Sequence, residues 1–199
     1  MSVRSRLPGV EANSRLTSST AVLLFFLLAA EGVTVPSVRS LLTPHVFLGV
    51  LLIPPTLVKI VSTTYRFARF YTGHPDYRRK GPPLWFLRLL GPVVVVLTVV
   101  MLASGVALMF AAASEHRLLL GVHKASFVLW FLAMTVHVLG HLPETFRLGL
   151  PDWVGRRVAG SAARRSVLVA SLAVGAVAGV FMIGKVAPYL ASAPRHPGG

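Results

Sequence analysis

Five nitrogen bases, His45, Lys59, His123, His137 and His141, lie inside or at the edge of long apolar stretches. Ionisable groups in such stretches are expensive, so each needs a partner or a purpose. Their spacing is regular: His45 and Lys59 are fourteen positions apart, and so are His123 and His137. On a helix, fourteen steps return to within about 40° of the starting face, about 21 Å further along the axis. His141 lies eighteen steps from His123, so all three histidines form one stripe. Such nitrogens either ligate a metal or satisfy hydrogen bonds between packed helices. The chain has no cysteine. That excludes disulfides, thiolate metal sites, iron–sulfur clusters and haem attached through C-x-x-C-H. A redox group would have to be held non-covalently, by nitrogen or oxygen.

The elements that position these bases follow from composition. Of 199 residues, 54% are hydrophobic and 13% charged, with a mean hydropathy of +0.71. A soluble domain carries about 25% charged residues to wet its surface. Lipid must therefore be part of the solvent, and the expected fold is an all-α integral membrane protein of about five transmembrane helices. A hydrocarbon core about 30 Å thick needs roughly 20 apolar residues per crossing. Stretches 16–35, 44–64, 89–113, 118–142 and 166–189 meet that length. The first is the weakest, with a Thr-Ser-Ser-Thr start and Glu31 near its far end. It has no clear cleavage signal, and further apolar segments follow, so it reads as a membrane helix rather than a signal peptide. The expected organisation is an N-terminal segment 1–15, one transmembrane domain 16–190, and a disordered Pro- and Gly-rich tail 191–199.

A net charge of +14 could suggest nucleic-acid binding. The basic residues instead crowd the short connections on one side of the apolar runs, as the positive-inside rule places them. Arg4, Arg6, Arg15, Arg66, Arg69, Arg78, Arg79, Lys80, Arg88, Arg147, Arg156, Arg157, Arg164 and Arg165 share the N-terminal side. Arg39, Arg117, Lys124, Lys185 and Arg195 fall opposite. This predicts a cytoplasmic N-terminus and an external C-terminus in a bacterial inner membrane, with no nucleic-acid partner.

That topology puts His45 and His123 at one depth, near the external surface, and Lys59, His137 and His141 toward the cytoplasm. Two imidazoles at one depth on different helices are what a bis-histidine haem needs. Gly49, one turn below His45, leaves room for a porphyrin edge, and Arg39, Arg117 and Lys124 could meet its propionates. His137 and His141, four apart, also suit zinc or copper, although no carboxylate or cysteine joins them nearby. His74, in the cytoplasmic loop, could reach that end. Trp130 and Met134 lie between His123 and His137 and suit core packing. Tyr65, Arg66, Arg69 and Tyr71 form a basic aromatic belt at the cytoplasmic interface. Pro54 and Pro55 should kink the second helix. Gly175 and Gly179 let another backbone approach the fifth helix, within the bundle or in a homodimer.

The paired His-x13-His spacing in a small helical bundle, over about 44–142, resembles bacterial membrane cytochrome b proteins. These include the cytochrome subunits of formate dehydrogenases and nickel hydrogenases. The resemblance implies a four-helix haem-binding bundle, with His45 and His123 as axial ligands of an outer haem b and His137 as a ligand of a second, inner one. It further implies an electron-transfer subunit working between a redox partner subunit and quinone. Lys59 stands where the four-histidine version has its fourth ligand. It is a ligand itself, marks a lost haem, or pairs with Glu31 or a propionate. One haem is the expectation, with two open. Two other classes stay open: a cofactor-free membrane scaffold or assembly protein, and a small metal transporter using His137 and His141.

Overall fold

Every long apolar stretch becomes a helix, because a backbone in lipid must satisfy its own polar groups. The computed structural model describes residues 8–80, 85–154 and 158–191. The elements are α1 (Pro8–Thr34), a 3-10 turn (Val35–Ser37), α2 (Leu42–Tyr71), a short α3 (Pro75–Lys80), α4 (Trp85–Leu108), α5 (Ala113–Trp153) and α6 (Ser161–Ala191). Five of these helices are long and apolar enough to cross a bilayer. The chain is an all-α membrane protein. Apart from Ala191, the tail expected to be disordered lies outside the described residues.

The packing defines a ring. α6 lies along α2, α2 along α1, α1 along α5, and α5 along α4, while α4 meets α2 only lightly. Four helices, α1, α2, α4 and α5, thus surround a centre, with α6 outside against α2. The α1–α2 pair meets the α4–α5 pair chiefly through α1 and α5.

Close backbone approaches set these contacts. A Cβ at Gly175 would lie 2.7 Å from the Leu51 carbonyl oxygen, and one at Gly179 2.8 Å from Phe47. Both glycines of the G-x-x-x-G pair therefore serve the α2–α6 contact within this chain. A Cβ at Gly149 would lie 2.5 Å from the Ser18 carbonyl oxygen, so α1 and α5 cross there. The Thr-Ser-Ser-Thr region of α1 is what makes this crossing possible: Ser18, Ser19 and Thr20 are all buried. Small residues let membrane helices pack where lipid gives no hydrophobic drive.

Several boundaries differ from expectation. α2 continues past 64 to Tyr71, and α5 past 142 to Trp153. At about 1.5 Å per residue, the 41 residues of α5 extend roughly 60 Å, twice the hydrocarbon core. The third span ends at Leu108 rather than 113, because α5 already begins at Ala113. The N-terminal segment is helical from Pro8 onward. α2 remains helical through Pro54 and Pro55.

Candidate functional site

His45 stands in the first turn of α2 and His123 in the third turn of α5. The fold brings their rings to a centroid separation of 6.4 Å, with planes crossing at 82°. Each ring is held by a neighbouring helix, on the same plan. At His45, Nδ1 lies 2.8 Å from Glu31 Oε1 and 2.9 Å from Thr34 Oγ1, both on α1. The Thr34 hydroxyl donates its own proton to the Glu31 carbonyl at 2.6 Å. Its oxygen therefore faces the imidazole as an acceptor, as does the carboxylate. Nδ1 must carry the proton.

At His123, Nδ1 lies 3.0 Å from the Met101 carbonyl oxygen and 3.2 Å from Ser104 Oγ, both on α4. Ser104 in turn donates to the Met101 carbonyl at 3.0 Å. A carbonyl only accepts, so here too Nδ1 is the N–H. Both imidazoles thus turn Nδ1–H toward a supporting helix and keep the Nε2 lone pair for a ligand. Metal-binding histidines are characteristically oriented this way, by a carboxylate or carbonyl on the second nitrogen. Gly105 makes the arrangement possible on α4, since a Cβ there would lie 3.0 Å from His123 Cε1.

A metal between two imidazoles, at about 2 Å from each nitrogen, sets the ring centres roughly 6 Å apart. The observed 6.4 Å is close to that spacing, and α2 and α4 touch only lightly. Arg39, Arg117 and Lys124 are exposed at this end of the bundle. Gly49 lies beside the Glu31 carboxylate, 3.7 Å from a notional Cβ to Oε1.

The opposite end is assembled differently. His137 and His141 pack ring against ring at 4.8 Å on the same helix, so they cannot take opposite faces of one iron. Lys59 donates from Nζ to the Thr17 carbonyl of α1 at 2.9 Å. Its expected pairing with Glu31 does not form, because Thr17 lies fourteen residues from Glu31, about 21 Å along α1. His137 Nδ1 is buried without a hydrogen-bond partner among the described residues. No group of three or more His, Asp or Glu suited to a metal ion gathers among those residues. Trp130 donates to Thr98 Oγ1 of α4 at 2.8 Å and is a packing residue. His74 packs on Tyr77 instead of reaching the His137 pair.

No known protein family, curated protein or solved structure matches the chain. The two imidazoles and their supports therefore carry the functional assignment. Glu31, Thr34, Ser104 and Gly105 were not singled out by spacing as parts of the site. Glu31 gave the one available signal, as an ionisable residue inside an apolar run.

The fit of His123 against Gly105 has a measurable consequence. Gly105→Val should displace the ring and weaken roughly tenfold the binding of any haem held through it, as loss of a metal ligand's support does. Titration of haemin into the apoprotein checks this, with circular dichroism to verify the fold. Unchanged affinity in Gly105→Val would mean that the ring position does not matter.

Proposed function

We propose that the chain is a membrane b-type cytochrome, an electron-transfer subunit carrying one haem b between His45 and His123. The observation that supports this best is the matched anchoring of two neighbouring imidazoles, each with Nδ1 engaged by another helix. His45 and His123 would hold the iron. The group supplies reversible one-electron chemistry when bound. The protein's part is to fix both rings, shield the site with apolar helix, and set the charge around it. With basic connections facing the cytoplasm, the site lies near the external face of a bacterial inner membrane. Electrons would pass between a redox partner subunit and quinone or another acceptor. His137, with its unpartnered buried nitrogen, marks the end where such an acceptor would be sought. One haem is proposed rather than two, with the Lys59 amine engaged by the Thr17 carbonyl.

The test is spectroscopic. Protein purified from haem-replete cells should show a sharp α band on dithionite reduction and lose it when a soluble quinone is added. A band that forms but never responds to any quinone would remove that acceptor from the proposal.

Glu31 gives a second expected result. A carboxylate on Nδ1 makes the imidazole a stronger donor, which favours the oxidised metal. Glu31→Gln keeps an acceptor for Nδ1 while removing the negative charge. Its midpoint potential should rise by about 59 mV or more, a tenfold shift in a one-electron equilibrium. Redox titration checks this, and an unchanged potential would mean that Glu31 only packs against His45.

A further inference from the structure

Away from the paired imidazoles, the fold has an open apolar groove along α2, in the half of the bundle that ends in the Arg-rich connection. Leu16 of α1, Leu57, Val58 and Val61 of α2, and Val167 of α6 line it, with Tyr65 at one end. Its volume of about 470 Å³ is within the range of small-ligand sites. Leu57 and Val61 are more than half exposed. The same face of α2 continues through positions 58, 62, 65 and 69, spaced by four and three, so it leads straight to Arg69.

At Arg69 the chemistry changes. Its guanidinium carbon lies 5.8 Å from the Tyr65 ring centre. Tyr77 of α3 packs on Tyr65 at 6.0 Å, and His74 packs on Tyr77 at 5.5 Å. Burial, then the neighbouring Tyr65, raises the Tyr77 phenol above its ordinary value, so it stays neutral. Among the described residues no carboxylate pairs with Arg69, and its Nε is buried without a hydrogen-bond partner. His74 Nδ1 is likewise buried and unpartnered. Unpaired buried donors are costly and rare in native proteins. A cationic donor fork at the polar end of an apolar groove is complementary to an amphiphile with an anionic head.

We propose that this groove binds an anionic phospholipid, one acyl chain lying along Leu57 and Val61 and the phosphate held by Arg69. His74 and Tyr77 form the floor under the headgroup. Tyr65 sits at the boundary between chain and head, as interfacial aromatics do. Arg suits the role because its planar fork meets two phosphate oxygens at once.

The test needs no cofactor, so it stands apart from the haem assignment. Delipidated protein in detergent is mixed with equal amounts of phosphatidylglycerol and phosphatidylcholine and examined by native mass spectrometry. Phosphatidylglycerol should be retained with at least roughly fivefold preference, and excess inorganic phosphate should not displace it. Arg69→Gln should abolish the preference, and Arg69→Lys should retain part of it. Val61→Trp, which fills the groove, should lower lipid retention with Arg69 still in place. Thermal melts and circular dichroism verify that each variant is folded. Equal retention of both lipids by the native chain, or an unaltered preference in Arg69→Gln, would overturn the proposal. Displacement by inorganic phosphate would do so as well, since the groove would then contribute nothing.

Discussion

His123→Ala should purify as a folded membrane protein without haem, and His45→Ala should do the same. With no cysteine in the chain, nothing tethers the group covalently. In the proposed site it would be held by His45 and His123 alone, and each variant removes one of those two ligands. The remaining imidazole would still be anchored, through Glu31 and Thr34 or through Met101 and Ser104. Added free imidazole should therefore restore part of the absorbance in His123→Ala by filling the vacated position. A ligand role predicts that rescue and a purely structural role does not. His137→Ala and Lys59→Ala should keep the haem content of the native chain. Haem per chain, measured spectrophotometrically across the four variants, checks all of this. Full haem content in His123→Ala would contradict the assignment.

The second large effect is on stability. Asp152 and Arg164 form a two-pronged pair, Nε to Oδ2 at 2.6 Å and Nη2 to Oδ1 at 2.7 Å. The side chains are only 1% and 8% exposed. Ser19 of α1 donates to the same carboxylate at 2.7 Å, and Trp153 donates to the Ser19 carbonyl at 3.1 Å. Three helices, α1, α5 and α6, are tied at one point. Arg164→Ala would leave a buried carboxylate with the Ser19 hydroxyl and the more distant Arg15 charge, and should cost about 3–5 kcal/mol. The double variant Asp152→Leu, Arg164→Leu should cost much less, because no charge is then stranded. Denaturation in detergent, followed by tryptophan fluorescence, measures both. A loss within about 1 kcal/mol in Arg164→Ala would show the pair to behave as a solvated one.

How much of this was legible in the sequence differs by residue. The five crossings were plain because hydropathy reports contact with lipid. Helix ends were not, because a helix does not stop where lipid stops. Residues 65–71 and 143–153 are too polar to read as membrane, yet they continue α2 and α5. Pro151 and Asp152 read as part of a loop, whereas Asp152 is the most enclosed charge in the α1–α5–α6 junction. The facing of His45 and His123 followed from depth alone, since both lie near the start of a helix running in the same direction. Their supports did not. Whether Glu31 meets His45 or Lys59 depends on how α1 lies against α2, where Asn13 donates to the Ser62 carbonyl and Thr17 to the Ser62 hydroxyl. Gly105 is one of many glycines in the chain and becomes informative only once His123 lies against it. Gly49 was read as space for a porphyrin, and the neighbour it meets within the chain is the Glu31 carboxylate.

The central claim is that one haem b sits between two imidazoles. The most direct measurement is the pyridine haemochrome assay on the native chain, purified in mild detergent from haem-replete cells and scaled to protein concentration. The account predicts one haem b per chain, low-spin in both oxidation states as two nitrogen ligands require. A folded, monodisperse preparation that is colourless would contradict it.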